Sequence, residues 1–276
     1  MAAASALAEV PERLEAIFVN EGAEATGGIS HNGIYAVNFY ALMMPVTLTI
    51  DDRLPMKKDR EGRTMYAKVG RDNSVWGPLF EKAFAKYHGT YETLTAGNPR
   101  EAIEVIAGSP GIRYESESMR ADVIWDLLRT QDRDRAMITM GCYSDHETGI
   151  VGGHGYSFIK TVQLSDGTKL VQVRNPWGTE KYHGPWCDVC DEWTDTFKRQ
   201  AGYDELFENE GKDGAFFTTI EIFKEAFKLF WINYDTHDMY RADWLKLDDQ
   251  TDSPGEHKNC GSDCTRHEFT LSSTVT

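Results

Sequence analysis

The sequence predicts an α+β protein in which helices gather early and an antiparallel sheet forms late. Apolar residues recur at helical spacing in the first half, as in Trp76, Leu79, Phe80, Ala83, Phe84 and Tyr87. Strand-like runs dominate the second half, over Ala136–Cys142, His154–Leu164 and Leu170–Arg174. The last two are joined by Ser165-Asp166-Gly167, a hairpin turn signal that makes them antiparallel neighbours.

Taken in order, the chain opens as helix followed by helix. Pro11 suits a first helical turn, where its missing N–H costs nothing, and Leu14, Ile17 and Phe18 give that helix an apolar face. A polar loop through Gly27, Gly28, Asn32 and Gly33 follows. Ile34–Leu42 and Val46–Ile50 read as two strands, with a break expected at Met44-Pro45. The aromatic stripe from Trp76 to Tyr87 predicts a buried helix face ended by Gly89, and a second helix runs over Arg100–Ala107. Gly108–Gly111 is the expected boundary between two subdomains. After a helix around Met119–Arg129 come the strands, then a helix over Ile220–Phe227 and a buried strand at Leu229–Ile232. From Asp238 the chain is polar until Phe269-Thr270-Leu271, where a new strand is expected to begin.

Composition narrows the function. With 41% apolar residues and 7 Trp, 12 Tyr and 13 Phe, the chain can fill an interior, which argues against disorder. A formal charge of −15 argues against binding nucleic acid, whose phosphates need clustered Lys and Arg. The longest apolar candidate for a membrane span, Tyr35–Ile50, is broken by Asn38, Pro45, Thr47 and Thr49, so no span is expected. The N-terminus has no basic leader and meets Glu9 at once, and the 5 cysteines are sparse. Both point to a cytoplasmic protein.

The sharpest local pattern is Gly152-Gly153-His154-Gly155-Tyr156-Ser157 followed by Arg174-Asn175-Pro176-Trp177-Gly178. On neighbouring strands His154 and Asn175 can meet, the arrangement by which a carboxamide holds an imidazole in one tautomer. The flanking glycines are expected to leave the His154 ring open to a cleft, and Trp177 to shield the His–Asn bond from water. The plainer alternative is a histidine that merely caps a loop.

These two blocks resemble the histidine and asparagine blocks of the calpain protease core. Asp51-Asp52-Arg53-Leu54-Pro55, Trp76 with Glu81-Lys82-Ala83-Phe84-Ala85-Lys86, Gly184-Pro185-Trp186 and Asp213-Gly214-Ala215-Phe216-Phe217 follow in the order of that family. The resemblance runs from about residue 5 to 235. It implies a papain-like fold of two subdomains with catalysis in the cleft between them. By position, His154 would be the acid–base residue, Asn175 the orienting residue and Trp177 the aromatic cover.

The family's nucleophile lies in a Gly-x-Cys-Trp block shortly before a helical run that Ala6-Leu7-Ala8-Glu9 matches here, which places it slightly upstream of Met1. The glutamine that helps bind the oxyanion lies further upstream still. The chain as written is therefore expected to be a truncated relative, a partial gene model or splice product, that does not cleave peptides at a useful rate. Cys142 resembles a buried core cysteine of the family. Cys187-x-x-Cys190 and Cys260-x-x-x-Cys264, with His183 nearby, invite a zinc reading. The pairs lie far apart in the chain, and plain thiols are the expectation.

The family also implies two calcium ions held by carboxylates and carbonyls. Asp188 and Asp213 match ligand positions, whereas Lys181, Ala215 and Ser74 stand where carboxylates are expected, so the ligand set is degraded. No cofactor is needed for the chemistry. The expected organisation is a partial first subdomain over 1–108, a second subdomain over 109–236 carrying His154 and Asn175, and a linker with the start of a truncated β-domain over 237–276. The expected function is endoproteolysis of protein or peptide substrates, with regulatory domains missing from this chain. The alternative is a non-catalytic relative that binds protein partners through its cleft or acidic surface.

Overall fold

A computed structural model describes residues 1–19, 32–42, 44–58, 62–70, 73–179, 181–202 and 213–234. The polar loop through Gly27, the expected strand at Phe269 and the whole 237–276 segment lie outside the described residues.

Helix α1 (Ala2–Ala8) follows from composition, since alanine has the highest helix propensity. Ala2, Ala3, Ala4, Ala6 and Leu7 are all buried, so the helix is covered on every side rather than along one stripe. α2 (Pro11–Ile17) starts with Pro11 in the first turn and buries only Ile17. Strands β1 (Ile34–Ala41) and β2 (Met44–Asp51) pair as an antiparallel hairpin. The expected break at Met44-Pro45 is absent. Pro45 pairs with Tyr40 inside β2, which is an edge strand of a two-stranded sheet and tolerates a residue without an N–H.

Tyr35, Val37 and Phe39 alternate inward from β1. Phe39 meets Phe80 and Phe84 edge-on, with ring centroids 5.7 Å apart, and both come from α3 (Trp76–His88). α4 (Pro99–Ala107) is capped by the Asn98 side chain, which accepts the Arg100 N–H, and ends at Gly108 in the left-handed region. A Cβ on Gly108 would lie 2.8 Å from the Tyr40 ring, so that turn admits no larger residue without a shift. Together α1, β1, α3 and α4 enclose the first core.

The second core is built on a six-stranded antiparallel sheet in the order β3-β8-β4-β5-β6-β7. Its strands are β3 (Gly111–Glu115), β4 (Met137–Cys142), β5 (His154–Gln163), β6 (Lys169–Arg174), β7 (Ala215–Thr219) and β8 (Leu229–Asn233). α5 (Ala121–Arg133) and α7 (Ile220–Ala226) cover one face with Ile124, Trp125, Leu128, Phe223 and Ala226. α1 and α4 pack against the same sheet from the first core, α1 on β4 and β5. A third, smaller cluster joins Trp186 and Trp193 to Phe217 and Ala201, the latter from α6 (Asp195–Ala201). The arrangement is α+β, as the sequence predicts. β3, α6 and β7 were not anticipated. β3 falls where a boundary was expected, and its exposed, charged residues carry no apolar alternation.

Leu7 is 1% exposed where α1 enters the first core. Leu7→Ala should cost about 2–5 kcal/mol by the loss of buried methyls and the cavity left behind. Leu42→Ala, at a side chain 83% exposed, should stay within about 0.5 kcal/mol. Urea unfolding of both variants checks the contrast.

Candidate active site

The register of β5 against β6 explains why His154 and Asn175 meet. Ser157 pairs with Arg174, so the chain leaving β6 runs back toward the start of β5. Asn175 is the first residue past β6 and His154 the first of β5. His154 Nε2 lies 2.8 Å from Asn175 Oδ1. The same oxygen accepts the Trp177 backbone N–H at 3.0 Å. With two donors converging on it, that atom is the amide oxygen, and His154 Nε2 carries the hydrogen. Nδ1 is then the ring nitrogen free to take and give a proton.

Asn175 is 2% exposed, and its backbone is held as firmly as its side chain. Its N–H donates to Gly214 O at 2.7 Å, and its own carbonyl accepts from Gly178 N–H at 3.0 Å. Gly214 has φ +82°, and a Cβ there would lie 2.4 Å from Asn175 O. The Asp213-Gly214 pair therefore supports the asparagine from behind. Sequence reading noted the block without seeing this contact, and the glycine was the available signal.

Burial is the main influence on His154 and lowers its pKa below the usual histidine value; the Asn175 hydrogen bond works the other way. The Met1 ammonium lowers it further, and Ala2 at the start of α1 packs on Gly155, the neighbour of His154. The Trp177 ring lies 4.1 Å from His154, centroid to centroid, but is 52% exposed. It covers one face of the imidazole and leaves the rest of the indole in solvent, so the expected shielding is one-sided. The buried position of Asn175 supplies the rest.

The glycines around His154 do other work than opening its ring. A Cβ on Gly152 would lie 2.3 Å from the Ser144 carbonyl carbon, and Gly153 turns at φ +60°. Gly155 faces Ala2 of α1, with 3.5 Å left for a Cβ. They allow a tight turn and the close approach of α1 to β5.

Cys142 pairs with His154 across β4 and β5 but is no nucleophile in this arrangement. It is 3% exposed, its Sγ donates to Ser144 O at 2.9 Å, and burial raises its thiol pKa. A protonated, committed thiol is a poor attacking group. The expectation of plain thiols at Cys187 and Cys190 is corrected: the two form a disulfide. Backbone bonds from Cys187 N–H to Gly184 O and from Cys190 N–H to Cys187 O curl the segment into a turn that brings the two together. A bridged pair supplies no thiolates to zinc. Cys260 and Cys264 lie outside the described residues.

The calcium positions do not assemble a cage. Asp213 Oδ1 accepts the Ala215 N–H at 2.9 Å, and Lys181 and Ala215 hold places where carboxylates were expected. Among the described residues no three His, Cys, Asp or Glu side chains converge on a metal-sized site. A calcium ion takes six to eight oxygens, backbone carbonyls among them. A cavity of about 460 Å³ lies elsewhere, among Leu7, Ile17, Tyr40, Ile106, Arg135 and Met137, and neither His154 nor Asn175 lines it.

Two outcomes follow from this geometry. Gly214→Ala should destabilise by more than Gly167→Ala, because both need a left-handed backbone but only Gly214 faces a carbonyl. Strain alone is worth about 1–3 kcal/mol, so the excess in urea unfolding reads the crowding of Asn175. For His154 the folded state disfavours the cation. Its contribution to stability is therefore full above the ordinary histidine pKa and is lost as pH falls through its own lowered value. His154→Gln should remove that part of the slope of urea midpoint against pH.

The chain matches the profile of the calpain family cysteine protease over residues 1–233. It is 30% identical to Calpain-type cysteine protease DEK1 of Arabidopsis thaliana over 244 residues, 84% of this chain and 11% of that protein. It is 30% identical to Calpain-12 of Homo sapiens over 232 residues, 81% of this chain and 31% of that protein. The chain thus spans under a third of the length of these relatives. The match begins at Met1, the residue before α1, and ends with the last residue of β8, so the two cores and the strands that bring His154 to Asn175 all fall within it. The chain belongs to the calpain family of cysteine proteases and has its papain-like α+β fold.

Proposed function

We propose that this chain supplies the histidine–asparagine half of a calpain-type cysteine endopeptidase acting on protein substrates. The observation that carries the reading is the 2.8 Å contact from His154 Nε2 to Asn175 Oδ1, with Trp177 against the ring. In the proposed reaction a cysteine thiol passes its proton to His154 Nδ1, and the thiolate attacks the peptide carbonyl. The imidazolium, held by Asn175 through Nε2–H, then gives that proton to the leaving amine. Water hydrolyses the acyl-enzyme with His154 acting as base.

None of the described cysteines offers such a thiol, since Cys142 is buried and Cys187 and Cys190 are bridged. The proposal is therefore that the described residues need a cysteine presented at the N-terminal end of α1 to hydrolyse peptides. Weak calcium binding belongs to the same proposal, given the ligand positions lost at Lys181 and Ala215. The missing thiol also favours a second reading, a non-catalytic relative that binds protein partners.

A chain extended upstream of Met1 by its own coding sequence separates the two. If an in-frame Gly-x-Cys-Trp precedes α1, the extended protein should label with an epoxide inhibitor of cysteine proteases. It should cleave an unfolded protein substrate, and His154→Ala should lower kcat/KM by about 10⁴-fold or more. An upstream sequence without that block, or an extended protein that carries it and remains unlabelled, would overturn the protease reading in favour of the binding protein.

A further inference from the structure

α1 touches the catalytic strands at three places along one line. Near its start, Ala2 lies against Gly155, next to His154. One turn on, Ser5 Oγ lies 2.8 Å from Ser157 Oγ. Just past its last turn, Glu9 Oε1 accepts the Arg174 Nε–H at 3.1 Å. Arg174 is the residue immediately before Asn175, and its backbone sits in the ladder between Ser157 of β5 and Ala215 of β7.

We infer that the Glu9–Arg174 ion pair is a positioning latch: by tying the end of α1 to the end of β6, it sets the place of Asn175 and through it the orientation of His154. This rests on the His–Asn reading proposed above. Glu9 and Arg174 are positioning residues and touch no reacting atom.

Energetics support a positional role over a stabilising one. The carboxylate sits where α1 ends, at the negative pole of the helix, with Arg174 on one side and the Asp213 charge also acting on it. Burial is the largest influence and raises the Glu9 pKa above the ordinary carboxylate value; Arg174 opposes that shift and Asp213 adds to it. A raised folded-state value means that any stability tied to this group is full below the ordinary glutamate pKa and is lost as pH rises through the raised one. Ionised Glu9 is therefore a cost to folding that the pair only partly offsets, as is common for partly buried ion pairs. What the pair supplies is direction. The Nε–H of a guanidinium fixes the side chain more tightly than a lysine would, because the fork is planar and rigid.

The test reads the imidazole rather than activity, so it needs no nucleophile. Long-range ¹H–¹⁵N spectra of the full chain, with His154→Gln to assign the signal, report which ring nitrogen of neutral His154 bears the proton. Glu9→Ala and Arg174→Met should each cut the Nε2–H population about two-fold, as the Asn175 oxygen drifts from the ring. Glu9→Gln keeps an oxygen acceptor for Arg174 and should stay with the unaltered chain. If Asn175→Ala shifts the tautomer while Glu9→Ala and Arg174→Met do not, the latch is overturned and the His–Asn reading stands. Glu9→Gln behaving like Glu9→Ala would also overturn positioning by this hydrogen bond. If Asn175→Ala itself leaves the tautomer unmoved, the His–Asn reading falls and the latch with it. A thermal melt of each variant separates loss of fold from loss of position.

Discussion

The structure depends on a seven-residue helix that belongs to two cores at once. α1 buries Ala3, Ala4, Ala6 and Leu7 among the residues of the first core while its other side lies on β4 and β5. Small side chains make that possible, since a helix of alanines lets backbone approach backbone from both directions. At Gly155 a Cβ would lie 3.5 Å from Ala2 Cβ, an ordinary packing contact. The hydrophobic gain per alanine is small, so α1 is held by being enclosed rather than by large buried side chains.

The second constraint is the amide oxygen of Asn175. One acceptor with two lone pairs takes His154 Nε2–H and Trp177 N–H, so the oxygen cannot rotate away without stranding a donor. The asparagine backbone is fixed at the same time from Gly214 and Gly178. A neutral carboxamide in this place orients the ring without adding charge to a half-buried site. Burial is the main influence on the protonation of His154, opposed by the Asn175 hydrogen bond, with a smaller effect from the Met1 ammonium.

Much of this was legible in the sequence because it is local. The Ser165-Asp166-Gly167 turn joins β5 to β6, whose pairing slips by one residue between Phe158 and Lys160 and ends at Ser157 opposite Arg174, which brings residue 175 near residue 154. Helices α3 and α4 announce themselves by the aromatic spacing of α3 and by the glycines that follow each, whereas the capping Asn98 of α4 was seen only in the structure. What escaped notice depends on contacts between distant segments. Glu9 and Arg174 are ordinary surface-type residues until α1 and β6 are laid side by side, and nothing in either segment names the other. β3 and β7 are edge strands, whose pairing is set by the neighbour rather than by their own alternation. Cys187 and Cys190 carry a spacing shared by metal knuckles and by disulfide turns, and only the backbone path between them decides which.

The bridge itself sits in the layer beneath the active site. Cys187 packs in the second core with Tyr182, whose ring stacks on Phe216 at 4.6 Å, and Phe216 meets Tyr156 edge-on at 6.3 Å. Tyr156 in turn stands 4.9 Å from the His154 ring and uses its hydroxyl to accept the Val151 N–H. Aromatic layers of this kind are stiff, because close-packed rings have few alternative rotamers. His154 thus rests on rigid material below, is covered on one face by Trp177, and is oriented sideways by Asn175.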